Sequence, residues 1–341
     1  MPGPDRASPM ITKTPSYDLS PRNTFRMKVK CALYVEVTEE ADLPALDWDS
    51  LPQPVFVMGG GSNLLFRGDF PGTVLHFGVT GLGSATVPAG TVFDDFCAWA
   101  ASENLWGPEN LSLIPGECGA SAVQNIGAYG VEAKDIIAGI RAWDMLERKF
   151  VDIDPADCQY GYRTSRFKTE WKGRFIITSV TYKLSKEPKP ILDYGGVRKA
   201  VPDVPITPQL IRDTIIAIRR KKLPDPEEIG SAGSFFCNPV ISKEHFEQIV
   251  KTAKEDNGPD YEVPHYEVPG GIKVPAAWMI EQCGFKGATN GGAQVYHNQP
   301  LVIVNASGNA TPEEIIGLEQ RVIDTIYTKY GITLHPEVEH V

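Results

Sequence analysis

Two glycine-rich, nearly uncharged stretches constrain this chain more than anything else in it. Met58-Gly-Gly-Gly-Ser-Asn-Leu-Leu-Phe66 follows directly on the apolar run Pro54 to Met58. Three glycines after a strand let backbone N–H groups converge on an anion, and Ser62 and Asn63 add side-chain donors. Taken alone, a tight hairpin is the simpler account of it. The second stretch runs from Asn110 to Gly130 and holds four glycines, which make it poor core and poor surface material. Small residues there would let a large planar ligand lie against backbone, with Gln124, Asn125 and Tyr129 as polar anchors, although a buried loop packed on a sheet would look the same. Neither stretch is GxGxxG or GxxxxGK[ST], so neither the dinucleotide fingerprint nor the P-loop applies. Two anion-friendly loops together suggest a dinucleotide with a pyrophosphate, and the physical reading stops there.

Composition narrows the partners. The 341 residues suffice for roughly two or three domains. A net charge of −10 excludes a broad nucleic-acid or anionic-membrane surface, so a phosphorylated ligand needs a local donor cluster. The Pro-, Ser- and Thr-rich start, Met1 to Phe25, lacks the apolar core of a signal peptide, and no run reaches the roughly 20 apolar residues of a spanning helix. Six scattered cysteines without a CxxC pair read as buried thiols in a reducing cytoplasm. Histidine spacing gives no metal site.

Short β-like runs and turns dominate the first half, including 54–58, 72–77, 140–145 and 174–184, with a surface helix over 93–104. This is an α+β pattern rather than regular βαβ alternation. Thr207-Pro208 opens a helix ending in the basic run Arg219 to Lys222, and Leu223-Pro-Asp-Pro226 marks a boundary. Helices follow over 243–254, 275–283 and 312–330, the last with Gly331 as its C-terminal cap.

Three more segments carry candidate chemistry. In Tyr160-Gly-Tyr-Arg163, aromatics beside Arg163 could orient a ring and clamp a carboxylate, or form an exposed basic turn. In Gly230-Ser-Ala-Gly-Ser-Phe-Phe236, Ser234 could hold a hydroxyl in a dry pocket and donate a proton, or be a turn serine. No GxSxG elbow is present. Glu337, between Pro336 and Val338, is the candidate buried acid of a terminus that would otherwise be solvated.

In order along the chain these motifs are Gly59-Gly-Gly-Ser-Asn63, Ile114-Pro-Gly116, Gln124-Asn-Ile-Gly-Ala-Tyr-Gly130, Gly161-Tyr-Arg163, Lys222-Leu-Pro-Asp225, Ala232-Gly-Ser-Phe-Phe236 and Pro336-Glu-Val338. The set resembles the UDP-N-acetylenolpyruvoylglucosamine reductase family, from Asn23-Thr-Phe25 nearly to the end. The resemblance implies an FAD-binding fold of the vanillyl-alcohol-oxidase type, in two α+β subdomains, plus a C-terminal α/β substrate domain. It divides the chain into a 1–22 tail, a 23–80 subdomain to which 332–341 returns, an 81–222 subdomain and a 223–331 substrate-binding domain. It implies non-covalent FAD held by Gly59, Gly60, Gly61, Ser62, Asn63, Ile114, Pro115, Gly116, Gln124, Asn125, Gly127, Ala128, Tyr129 and Gly130. NADPH would reduce the flavin, and hydride would pass from flavin N5 to the enolpyruvyl group of UDP-N-acetylglucosamine enolpyruvate. The product would be UDP-N-acetylmuramate, a cytoplasmic peptidoglycan precursor.

By the same resemblance, Arg163 stabilises the developing enolate, Glu337 assists it, and Ser234 protonates the adjacent carbon. Tyr194 matches the substrate-covering tyrosine of the longer family subtype, with Tyr162, Lys222, Asn238 and Gln299 as further substrate contacts. Two departures stand out. Cys237 occupies a position where a basic residue is common, and only three residues follow Val338 to support Glu337. An FAD-linked oxidase of the same fold, or a catalytically dead flavin-binding module, would share the glycine loops.

Overall fold

The structure, a computed structural model, describes residues 11–341. These residues form two compact units, and the long break between them falls at Lys221/Lys222. The first unit contains the described residues up to Arg22 together with Val29–Ser62 and Asp69–Lys221. Its first sheet is built from β1 (Ile11–Asp18), β2 (Lys30–Val37), β3 (Val55–Met58) and β4 (Phe70–Phe77), in the order β1-β2-β4-β3. β2, β4 and β3 run parallel, while β1 is antiparallel to β2 at the edge. From Gly72 onward β4 is buried on both faces, as a central parallel strand must be, and this puts His76 inside the protein.

A second, antiparallel sheet has the order β7-β6-β8-β5, where β5 is Thr86–Pro88, β6 Ile137–Asp144, β7 Lys149–Ile153 and β8 Phe175–Tyr182. Helices α1 (Phe93–Ser102) and α2 (Cys118–Gln124) pack with both sheets in one core that includes Val35, Leu75, Phe93, Phe96, Trp143 and Ile176. The helix expected after Thr207 is α3 (Pro208–Lys222), with the Thr207 hydroxyl accepting from the Leu210 N–H at 3.1 Å.

The second unit contains Lys222–Val341 plus Asn23–Lys28 and Asn63–Gly68. Its main sheet has the order β9-β12-β11-β10, from β9 (Gly230–Ser234), β10 (Thr289–Asn290), β11 (Ala293–Val295) and β12 (Val302–Asn305). Helices α4 (Lys243–Asn257), α5 (Ala276–Gln282) and α6 (Pro312–Tyr330) and a small sheet of Val240–Ile241, Gly271–Lys273 and Tyr266–Val268 belong to the same unit. α6 carries a Thr311/Glu314 capping box and ends at Gly331, whose φ of 66° is the left-handed conformation a glycine cap supplies.

The two short segments join this unit through backbone bonds. Ser231 N–H donates to the Thr24 carbonyl at 2.9 Å, and the last strand, Glu339–His340, pairs in parallel with Leu64–Leu65. The stretches 23–28 and 63–68, expected in the N-terminal subdomain, therefore pack with the C-terminal one. The expected tail also differs. Residues 1–10 lie outside the described residues, but Ile11–Asp18 is a paired strand. It is fixed by its ladder to β2 and by Tyr17 stacking on Tyr34 at 4.3 Å rather than by an apolar face, so its polar composition resembled a tail. All six cysteines are free thiols, with Cys31, Cys97, Cys118 and Cys158 buried. Among the described residues no helix is long and apolar enough to cross a membrane.

Candidate active site

In the first unit the two glycine stretches meet backbone to backbone. A Cβ on Gly59 would lie 3.2 Å from Ala120 Cβ and 3.2 Å from Glu117 Oε2, and one on Gly60 would lie 3.3 Å from Gly116 Cα. A Cβ on Gly116, at φ 111°, would lie 2.8 Å from Ser62 Oγ, which itself donates to the Pro115 carbonyl at 3.1 Å. Gly61 is also left-handed, with φ 62°. Added side chains would be crowded where the two loops meet, and strained at left-handed Gly61 and Gly116, so the loops pack by backbone as a flavin dinucleotide diphosphate site does. The residues present fit FAD.

The loop after α2 is fixed by Asn125, which is fully buried and left-handed at φ 47°. Its Nδ2 donates to Gly161 O at 2.7 Å and Glu132 Oε2 at 3.0 Å, while its Oδ1 accepts from Lys134 N–H at 3.0 Å. Asn125, expected as a cofactor contact, spends its amide inside the protein, tying the 124–130 loop to the turn that carries Arg163. In that turn Gly161 and Thr164 exchange backbone hydrogen bonds and leave Tyr162 and Arg163 at the tip. Arg163 takes φ 57° and donates from Nη2 to the Gly127 carbonyl at 2.6 Å, its guanidinium 5.2 Å from the Tyr162 ring centre. Gln124 is held by Lys168 Nζ at 2.6 Å.

Tyr194 belongs to the same unit and is 43% exposed. Its loop packs on the Tyr129–Gly130 turn: a Cβ on Gly130 would lie 3.3 Å from Tyr194 Cβ, and one on Gly195 would lie 2.7 Å from the Tyr129 ring. Asn110 Nδ2 joins the two loops by donating to the Tyr129 and Ile191 carbonyls at 2.8 and 2.9 Å. On α3, Arg219 has a buried Nε without a hydrogen-bond partner among the described residues. Burial lowers its pKa, opposed by Tyr129 and Asp94, with Arg163 adding repulsion. The sequence marked Arg219 only as part of a basic run, since helix phase alone does not show which member of such a run turns inward.

In the second unit Ser234 ends β9 rather than sitting in a turn. Pairing with β12 slips between Ser231 and Ser234, at Gly233 with φ 70°, and such a bulge re-aims the following side chain. The next residues pair with the chain terminus: Glu337 N–H donates to Phe235 O at 2.8 Å and Cys237 N–H to His335 O at 2.9 Å. Ser234 and Glu337 are therefore brought onto adjacent rungs of one ladder. Asn63 Nδ2 donates to the Glu337 carbonyl at 3.1 Å, and Glu339 N–H to Asn63 O at 3.0 Å. The short C-terminus is consequently well supported. Gln299 lies in the turn before Leu301, whose carbonyl accepts from Phe235 N–H, and Asn238 Oδ1 caps the Ala276 N–H. Lys222 is exposed at the end of α3.

A charged cluster beneath the glycine loops went unread in the sequence. The buried His76 ring shares Nδ1 with Glu36 Oε1 and Nε2 with Glu117 Oε1, both at 2.9 Å. Burial alone would lower the His76 pKa, but bonds to Glu117 and Glu36 outweigh it and push it up to about 9. Glu117 is the single charge between Asn110 and Gly130, a signal available in the sequence.

The chain matches two family models. The first is an FAD binding domain over residues 32–147, and the second is the C-terminal domain of UDP-N-acetylenolpyruvoylglucosamine reductase over residues 225–341. A UDP-N-acetylenolpyruvoylglucosamine reductase from Porphyromonas gingivalis strain W83 is 43% identical, covering 95% of this chain and 98% of its own. One from Bacteroides fragilis strain YCH46 is 41% identical, covering 95% and 99%. The crystal structure of the reductase from Thermus caldophilus shares the fold at a TM-score of 0.69, with 22% identity over 98% of this chain and 99% of its own. Full-length identity at this level, with both domain models in place, shows that the chain belongs to the UDP-N-acetylenolpyruvoylglucosamine reductase family.

Proposed function

We propose that this protein is an FAD-containing, NADPH-dependent reductase that converts UDP-N-acetylglucosamine enolpyruvate to UDP-N-acetylmuramate for peptidoglycan synthesis in the cytoplasm. The observation that carries this reading is the close backbone packing of the two glycine loops, whose left-handed Gly61 and Gly116 suit a dinucleotide diphosphate, in a chain where the Ser234 and Glu337 segments are hydrogen-bonded to each other. FAD, when bound, would relay one hydride (two electrons and a proton) from NADPH to the enolpyruvyl double bond. The protein contributes anion binding, charge stabilisation and a proton.

Gly59 to Ser62 and Gly116 present backbone donors to the diphosphate with Ile114 and Pro115 beside them, while Gln124 to Gly130 line the ring with Asn125 as the strut beneath. Arg163, fixed at its turn tip, presents a guanidinium fork to the substrate carboxylate, on which negative charge grows as an enolate forms. Glu337 assists at the same charge. Ser234 Oγ then gives its proton to the carbon next to the one that accepted hydride. A serine hydroxyl is a weak acid and serves only a strongly basic, carbanion-like carbon, which is what the enolate provides. Tyr162, Tyr194, Lys222, Asn238 and Gln299 bind the nucleotide-sugar portion, and residues 223–331 form the substrate-binding domain.

Stopped-flow half-reactions of Ser234→Ala test this assignment. Flavin reduction by NADPH should keep its wild-type rate, while reoxidation by the enolpyruvyl sugar slows ~10²–10⁴-fold, the usual weight of a positioned proton donor. Loss of the NADPH half-reaction with FAD still bound would remove Ser234 from this role.

A further inference from the structure

The glycine loops receive a diphosphate, yet a carboxylate stands against them. Glu117 Oε2 lies 3.2 Å from where a Gly59 Cβ would be, and its Oε1 lies 3.7 Å from the corresponding point on Gly60. The Glu117 side chain is 13% exposed, so water screens it little. An uncompensated buried carboxylate here would repel the diphosphate and would itself be costly. It is not uncompensated. His76 lies on β4, opposite Met58, the residue that leads into Gly59, and opposite Glu36 on β2. Its Nε2 meets Glu117 and its Nδ1 meets Glu36, and behind Glu36 stand the Tyr34 hydroxyl at 2.5 Å and the Arg22 guanidinium at 3.4 Å.

The backbone around Glu117 is held from the opposite side: Gly116 O accepts from Phe93 N–H and Cys118 N–H donates to Thr91 O, both at 2.9 Å. The Glu117 side chain can therefore reach either His76 or the loop surface while its main chain stays in place.

We propose that His76 is a positioning residue of the FAD diphosphate site, holding and neutralising Glu117 beneath Gly59 so that the glycine loops can accept an anion. This rests on the FAD reading above and assigns cofactor retention to three residues, Glu36, His76 and Glu117, drawn from strands and a loop far apart in the chain. None of them needs to touch the substrate.

The test is FAD release from the purified holoenzyme on dilution, read as recovery of free-flavin fluorescence, together with thermal melts of each variant. His76→Gln keeps an amide donor but no charge, and should weaken FAD retention about ten-fold or more. Glu117→Gln alone should retain FAD at least as well as wild type, because the repelling charge is gone. The double variant His76→Gln/Glu117→Gln should recover most of what the single histidine change lost. If His76→Gln does not fold, Glu117→Gln still decides, since weaker FAD retention by that variant overturns the proposal. Unchanged retention in a folded His76→Gln, or no recovery in the double variant, also overturns it. A wild-type protein that carries no flavin would instead sink the functional reading on which the proposal rests.

Discussion

The glycine loops of the first unit and the Ser234–Glu337 ladder of the second solve opposite problems. A diphosphate is best met by backbone amides, so the first region removes its side chains and places its charges underneath, on His76, Glu36 and Glu117. Proton transfer and charge stabilisation need particular side-chain atoms. The second region accordingly sets Ser234 and Glu337 on paired strands, aimed by a bulge and held by backbone bonds and Asn63. In the first region the charged residues are buried or half-buried beneath the loops, and in the second Ser234 and Glu337 are half-buried on paired strands. Substitutions in the first should act on cofactor retention and stability, and those in the second on a single chemical step.

The largest effect expected is that of Ser234→Ala on flavin reoxidation, which leaves retention and melting temperature unchanged. If it also released FAD, the contrast between the regions would break.

A second effect should come from Asp94, whose carboxylate takes Arg212 Nη2 at 2.8 Å in a bidentate pair and accepts from the Leu113 N–H, joining α1, α3 and the loop before Ile114. Arg212 is buried, so Asp94→Ala strands a charge and should cost about 3–5 kcal/mol in denaturant unfolding. A loss below about 1 kcal/mol would mean that the pair is solvated.

The His76 cluster gives a pH dependence of defined sign. Its folded pKa is raised from 6.5 to about 9, so its stabilisation is complete below 6.5 and disappears as pH rises through 9. The groups facing it are Glu36 and Glu117, with Arg22 and Tyr34 behind Glu36. Holoenzyme stability should fall by up to about 3 kcal/mol between pH 6.5 and 10, from 2.5 pKa units at 1.36 kcal/mol each. His76→Gln should flatten that slope. A variant with the wild-type slope would assign the dependence elsewhere.

The smallest effect expected is that of Gly59→Ala. Its added Cβ meets Ala120 and Glu117 at 3.2 Å, tight contacts that need shifts of a few tenths of an ångström. FAD retention should weaken by roughly three- to ten-fold, with a melting temperature close to wild type.

Much of this was legible in the sequence. The glycine loops stood out, although each alone reads equally as a hairpin or a buried loop and only the set of motifs in order pointed to a cofactor. α6 was legible from its apolar period and terminal Gly331, while its Thr311/Glu314 capping box emerged from the structure. The His76 cluster was not, since Glu36, His76 and Glu117 lie some 40 residues apart, and single acids and a single histidine look like surface until the parallel register aligns them. Ser234 was read as a candidate, but the bulge that aims it depends on β12, about 70 residues away. Asn125 was read as a polar anchor for a ligand, and its three partners show its side-chain amide bonded within the protein.

The most direct test of the whole account is one anaerobic titration of the purified holoenzyme, followed by its visible spectrum. The account predicts a flavin band that bleaches with NADPH and returns on addition of UDP-N-acetylglucosamine enolpyruvate, with UDP-N-acetylmuramate as product. A band that bleaches but returns only with air, or one that never responds to NADPH, would contradict it.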